Sequence, residues 1–412
     1  MKFKIFFILC CCFFKSYSQE KDLNYYIEKA QKNSPLLTDL KNQVRSNTLD
    51  SLLVRASYKP QVSGNASAYY APLIDSVGYD SSVTNTHVLS ALVGVKKNII
   101  PKSVINTQAN TYKLIKDALV VNKKIAIKDL NKAITSQYIV ASGTSEQITY
   151  NQKVEKLLKD EASILKKLTQ NSVYKQTDYL IFISTVKQQE LTVLQFKQQY
   201  QSDLALLNYI SGEVDTTSVS LKKPDINLKS IQNSEKSIFF KQFEIDSLKF
   251  QNQNKLIDNA YKPQFSLLAD AGYLSSFLIT PHKNFGVSVG AGLSIPIYDG
   301  GQRSLNHQKM TVNLETNSAY KTSFSKQYKQ QLLMLNQKLK QASEIEKQLQ
   351  SQLIVVEALI DANKKLLVTG DAQITEYAIA VGNLIAIKNA ISQNTINKLQ
   401  LINELNYWNL NE

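Results

Sequence analysis

Few side chains in this sequence are spaced for covalent chemistry. Cys10, Cys11 and Cys12 sit together in one apolar run, and the three histidines, His87, His282 and His307, are scattered. Neither set has the spacing of a zinc site, a nucleophile elbow or a catalytic dyad. Gly-x-Gly at 290–292 lies in a strand-like stretch and does not open a helix, so it is no phosphate loop. No cofactor, metal or enzymatic activity is expected. One pair of acids does stand out. Thr177-Asp178-Tyr179 recurs as Thr375-Glu376-Tyr377, 198 residues later. Carboxylates at matching points of a repeat do electrostatic work: a ring of them in a pore favours cations and holds back anions. They can equally sit in solvated first turns of helices, where the helix dipole favours negative charge.

Those tripeptides belong to a larger duplication. Ser57-Tyr58-Lys59-Pro60-Gln61 recurs as Ala260-Tyr261-Lys262-Pro263-Gln264, at an offset of 203 residues. Two copies of one large unit account for both offsets. Residues 102–211 hold no proline and only Gly143, and residues 302–412 hold no proline and only Gly370 and Gly382. Long helices therefore alternate with short punctuated sections. The helices carry a 3–4 apolar spacing, kept for five heptads by Leu332, Leu335, Leu339, Ala342, Leu349, Leu353, Val356, Ile360 and Leu367, with Glu346 and Asn363 as polar exceptions. Tyr179, Phe182, Val186, Gln189, Val193, Phe196, Tyr200 and Leu207 follow it too. That period is the coiled-coil signature, and sixty-odd residues of helix extend roughly 100 Å.

The punctuated sections alternate with period two. Phe285, Val287, Val289, Ala291, Leu293, Ile295 and Ile297 share one side, while Gly286, Ser288, Gly290, Gly292, Ser294 and Pro296 share the other. Phe265 to Tyr273 form a second such stretch, and Val62 to Tyr70 with Leu89 to Val95 are the matching pair in the first copy. Apolar on one side and small or polar on the other suits a membrane barrel strand with lipid outside and water inside. Four strands cannot close a barrel, and lipid forbids an open edge. Several chains must pool their strands, and three chains with twelve strands is the economical answer.

The expected division of the chain is a signal peptide at 1–18, a first repeat at 19–211, an equatorial linker at 212–235 and a second repeat at 236–412. Strands are expected at about 60–70, 86–97, 263–274 and 284–298. Lys2, Lys4, the apolar run Ile5 to Phe14 and Ser16-Tyr17-Ser18 give the export signal. All three cysteines fall inside it, which leaves no disulfide or thiolate site in the mature chain, and Ile8-Leu9 lacks the small residues that usually precede a lipidated cysteine. The full chain carries 48 basic and 34 acidic residues, a net charge of +14 that falls to +11 once Lys2, Lys4 and Lys15 are removed. The lysines are spread evenly, without a dense arginine block, so they point to solvated helix faces and not to nucleic acid.

Gly292-Leu293-Ser294-Ile295-Pro296-Ile297-Tyr298-Asp299-Gly300-Gly301-Gln302-Arg303 resembles the strand-to-helix junction of TolC-like outer membrane efflux proteins. The Tyr-Lys-Pro-Gln lead into each strand pair and Gly370-(x)4-Thr375-Glu376 resemble the same family. Pro296 suits a strand leaving its ladder, Gly300 and Gly301 a sharp turn, and Asp299 a helix cap. The first copy has Asn98-Ile99-Ile100-Pro101-Lys102 at the corresponding corner, without the glycines. The resemblance implies a mainly α chain with a membrane β-barrel part. In such a fold two repeats of coiled-coil-like helical hairpins plus four strands per chain form a homotrimer, which closes a 12-strand barrel and an α-helical periplasmic tunnel. It implies a passive exit duct in the outer membrane lipid, coupled to a periplasmic adaptor (membrane fusion) protein and an inner-membrane efflux pump or exporter. Loops at 71–85 and 275–283 would be extracellular. Residues near 171–178 and 369–376 would form hairpin tips, with Asp178 and Glu376 lining the pore entrance and Thr177, Gly370 and Thr375 docking the adaptor. Some family members carry a second acid three residues on, where this chain has Ile379. The rival expectation is a structural envelope or adhesin protein with a helical stalk, which has no use for four strands sharing an apolar face.

Overall fold

The computed structural model describes residues 21–80, 87–215, 219–229, 237–276, 283–371 and 373–409. The expected signal peptide with its cysteines, His282, and parts of the expected linker and loops lie outside these residues. The chain runs α1 (Leu23–Asn33), α2 (Pro35–Ser57), β1 (Gln61–Tyr70), β2 (His87–Ile99), α3 (Lys102–Gln170), α4 (Gln176–Ser211), α5 (Ile238–Ala260), β3 (Gln264–Ser275), β4 (Phe285–Ser294), α6 (Gln302–Thr369) and α7 (Ile374–Trp408). Among the described residues the chain is thus mainly α with four strands. Among the described residues no helix is long and apolar enough to cross a membrane.

Two compact units emerge, and each draws on both sequence repeats. One holds α1, α4, α7, α3 from Ala126 and α6 from Tyr328; the other holds the four strands, α5, α2 from Thr38 and the first parts of α3 and α6.

In the helical unit the heptad positions face inward. Phe182, Val186, Val193, Leu353, Ile360 and Leu367 are buried, together with the polar Gln189 and Asn363. Each polar exception has a partner. Gln189 donates to the Asn151 carbonyl (3.0 Å), Asn363 to Leu359 O (3.0 Å), and Glu346 pairs with Lys398 (2.7 Å). Asn394 likewise donates to Ala342 O (2.9 Å) and Asn403 to Lys132 O (3.0 Å). The bonds of Gln189, Asn394 and Asn403 cross between helices, so they satisfy the side chain and also fix how far one helix can slide on its neighbour, whereas that of Asn363 stays within α6. A second cluster joins Tyr26 and Ala30 of α1, Ile134, Tyr138 and Ala141 of α3, and Tyr200, Leu204 and Leu207 of α4, with Leu221 above them. Lys21 strengthens it by pairing with Glu213 (3.4 Å) and Asp215 (3.3 Å).

The other unit is built on one antiparallel sheet of order β1-β2-β3-β4. The register puts Val62, Gly64, Ala66, Ala68 and Tyr70 on the same face as Leu89, Ala91, Val93 and Val95. Phe265, Leu267, Ala269, Ala271 and Tyr273 continue it, followed by Phe285, Val287, Val289, Ala291 and Leu293. This apolar face is bare: Val287 is 84% exposed and Val289 87%. The opposite face carries Ser67 bonded to Ser90 (2.8 Å) and Ser288 donating to Asp270 (2.7 Å), interrupted by Val88, Leu92, Leu268 and Leu274. Among the described residues the outer edges of β1 and β4 have no ladder partner.

Two strand boundaries differ from expectation. The ladder closes at Gln264↔Ser294, so β4 stops there and not at 298. Pro296 lacks the N–H that would continue the ladder, and 295–299 leaves the sheet. At the other corner β2 continues to Ile99, because Asn98 and Ile99 still pair with Ser266 and Phe265 before Pro101 ends the run.

Candidate functional site

The two hairpin turns are built alike. After α3, Ser172 takes a left-handed conformation (φ 63°), and Val173 N–H reaches back to Leu168 O (2.9 Å). After α6, Gly370 does the same (φ 86°), and Asp371 N–H reaches Leu366 O (3.0 Å). A left-handed residue followed by a long back-bond satisfies the last orphan carbonyls of a helix. The following helices also start alike, with Asp178 N–H to Lys175 O (3.1 Å) and Glu376 N–H to Gln373 O (3.0 Å).

The two turns pack on one another. A Cβ built on Gly370 would come within 2.8 Å of Val173 Cγ1, and the Tyr174 hydroxyl donates to Leu367 O (3.1 Å). Beneath them Phe182 and Tyr377 stack at 5.9 Å between centroids. Val154, Leu158 and Leu165 of α3, with Leu353, Ile360 and Leu367 of α6, complete this core.

Asp178 and Glu376 both fall three residues into a helix, but they behave differently. Asp178 accepts from its own N-cap amide, Lys175 N–H, at 3.1 Å. That bond satisfies one of the orphan donors at a helix start. Glu376 is exposed, as are Thr177 and Thr375. The first acid thus caps its helix, and the second is left to the solvent.

Sequence patterns missed the most buried charge near the tips. Glu161 of α3 is 2% exposed and pairs with Lys364 of α6 at 2.8 Å. Its other oxygen and the Tyr377 hydroxyl are buried without a partner among the described residues. The Glu161 hydrogen bond raises the Lys364 ammonium above its ordinary value. Burial, then the Glu161 charge, pushes the Tyr377 phenol up.

At the strand-to-helix corner Asp299 does what a cap residue should. Its carboxylate accepts from Gly301 N–H (2.9 Å) and Arg303 N–H (2.7 Å), and from the Tyr261 hydroxyl (2.5 Å). The Tyr261 bond is the main reason its carboxyl is held below the usual range. Gly300 (φ 67°) and Gly301 (φ 85°) make the turn in a region that costs other residues about 1–2 kcal/mol. Arg303 then pairs with Asp258 of α5 (2.7 Å), and His307 sits 3.1 Å from both Asp258 and Asn254. His87, for its part, stacks on Tyr70 at 4.6 Å. Among the described residues no group of three or more His, Cys, Asp or Glu could hold a metal.

A helical unit of paired hairpins with a four-stranded sheet is the fold of the TolC-family outer membrane channels, and this chain has that fold. Similar solved structures make the likeness quantitative. CusC, described for its conformational changes on folding and transmembrane channel formation, has a TM-score of 0.77 at 11% identity, over 95% of this chain and 92% of that one. The outer membrane protein VceC of Vibrio cholerae has 0.75 at 13%, over 94% and 95%. The open state of the MtrE outer membrane channel of Neisseria gonorrhoeae has 0.75 at 12%, over 94% and 88%. No family model and no curated protein matches the sequence.

Proposed function

We propose that this chain is one subunit of an outer-membrane channel, a passive exit duct whose helical part projects into the periplasm. The observation that supports it best is the sheet. Its apolar face lies bare, its opposite face is largely small and polar, and among the described residues two edges lack partners. Lipid can cover such a face, and further copies can complete such edges. Three copies would give a barrel wide enough for a water-filled lumen. A stalk made of helices leaves this sheet without a purpose.

In that assembly the helical tips face the inner membrane, where a periplasmic adaptor and an inner-membrane pump or exporter would join them. Thr177, Gly370 and Thr375 belong to the docking surface in this reading, and Glu376 to the entrance. The repeat boundaries at 211 and 236 then mark the equatorial linker between the two copies. Purification in mild detergent followed by planar-bilayer recording tests the proposal. Trimers that conduct ions support it; a water-soluble elongated oligomer that never inserts overturns it.

A further inference from the structure

A lone cation interrupts the apolar face of the sheet. Lys97 of β2 lies there between Val95 and Ile99, directly across the ladder from Leu267 of β3. No other residue that the register places on this face is an acid, a lysine or an arginine. The Lys97 side chain is exposed and has no ion pair or hydrogen bond among the described residues.

The two ends of the face differ. At one end Tyr70 stacks on His87 and Tyr273 meets Phe285 edge-on. At the other, Lys97 stands two residues before β2 stops, with exposed Lys59, Lys102 and Lys262 at the adjoining corners. Asp258, near the end of α5, is engaged by Arg303 and His307, and Asp299, before α6, by Tyr261 and the α6 amides.

We propose that Lys97 binds the phosphate of an anionic phospholipid headgroup, in the leaflet nearer the helices. This rests on the channel reading above. An ammonium group is not stable in hydrocarbon, and the lysine stem can lie along Val95, Leu267 and Ile99 while its charge reaches the headgroup layer. Its own sheet face offers no carboxylate, so the matching anion comes from the lipid.

The test uses the full-length protein in vesicles of phosphatidylcholine mixed with phosphatidylglycerol. Spin-labelled lipids report which headgroup is enriched in the motionally restricted shell. Phosphatidylglycerol is expected to be enriched about fivefold by the wild type. Lys97→Gln should lose most of that enrichment, Lys97→Arg should keep it, and Lys96→Gln, on the opposite face of the same strand, should leave it unchanged. Equal enrichment in conducting Lys97→Gln channels overturns the headgroup contact and leaves the channel reading standing. Equal loss in Lys96→Gln overturns the assignment to Lys97. Wild-type protein that neither inserts nor restricts any lipid overturns the channel reading, and the contact with it.

Discussion

Ser172 and Gly370 hold the same place in two turns of matching hydrogen bonding, 198 residues apart, and both adopt positive φ. Only one of them is the residue type that does so without strain. The left-handed region costs a non-glycine residue about 1–2 kcal/mol. Ser172→Gly should therefore recover part of that cost, up to about 1 kcal/mol once the extra freedom of the unfolded chain is counted. A chemical denaturation midpoint that does not rise would contradict this.

Gly370→Ala acts in the opposite direction, and for two reasons. It adds left-handed strain, and its methyl group meets Val173 Cγ1. The expected loss is about 1–3 kcal/mol, localised to the tips. Limited proteolysis should show faster cutting between 369 and 376 than in the wild type.

Lys364→Ala should destabilise more than an average surface change, because it leaves the buried Glu161 side chain without its ion-pair partner. Half of the lysine side chain is in solvent, so the loss is put at about 1–3 kcal/mol, below the figure for a fully buried pair. Pairing raises the lysine, so its contribution is fully present below the ordinary lysine range and is lost as pH climbs through the raised value. The stability gap between Lys364→Ala and wild type should narrow in strong alkali. Replacing both residues by leucine should restore much of the loss.

At the strand-to-helix corner the sign is reversed. Asp299 is held below its usual range, so its contribution is present above about pH 4 and disappears as acid protonates it. Asp299→Asn should lower the melting temperature at neutral pH, and the difference should shrink in acid. Parallel melting curves across that range would refute the assignment.

Selectivity separates the two tip acids. Glu376→Ala should weaken cation preference and divalent block in single-channel recordings, since three exposed carboxylates would leave the proposed entrance. Asp178→Asn should chiefly loosen the start of α4, because that carboxylate already accepts from Lys175 N–H. Cysteine cross-linking from Thr177 and Thr375 should capture the adaptor; capture confined to 212–235 would place docking elsewhere.

Much of this was legible in the sequence. Heptad positions such as Phe182, Val186, Ile360 and Leu367 are buried, and the alternation of β4 is the face of the sheet. Periodicity reports which side of an element is inside, so it serves well there. It does not report which partner waits across the gap. The Glu161–Lys364 pair and the contact of His307 with Asp258 join helices far apart in sequence, and no spacing rule links them. The end of β4 was misplaced because the alternation through Ile295 and Ile297 outlasts the ladder, which needs an N–H that Pro296 lacks.

The edges of β1 and β4, unpaired among the described residues, would also have a genetic consequence. In the proposed assembly each copy would complete its neighbour, so a chain whose edge is altered would spoil its own sheet and that of any intact chain it joined. Such an allele should be dominant when expressed beside the normal gene, whereas a chain too damaged to join at all should be recessive. The harm done by a mutation at this sheet would then depend less on how far it unfolds the chain than on whether the chain can still be recruited.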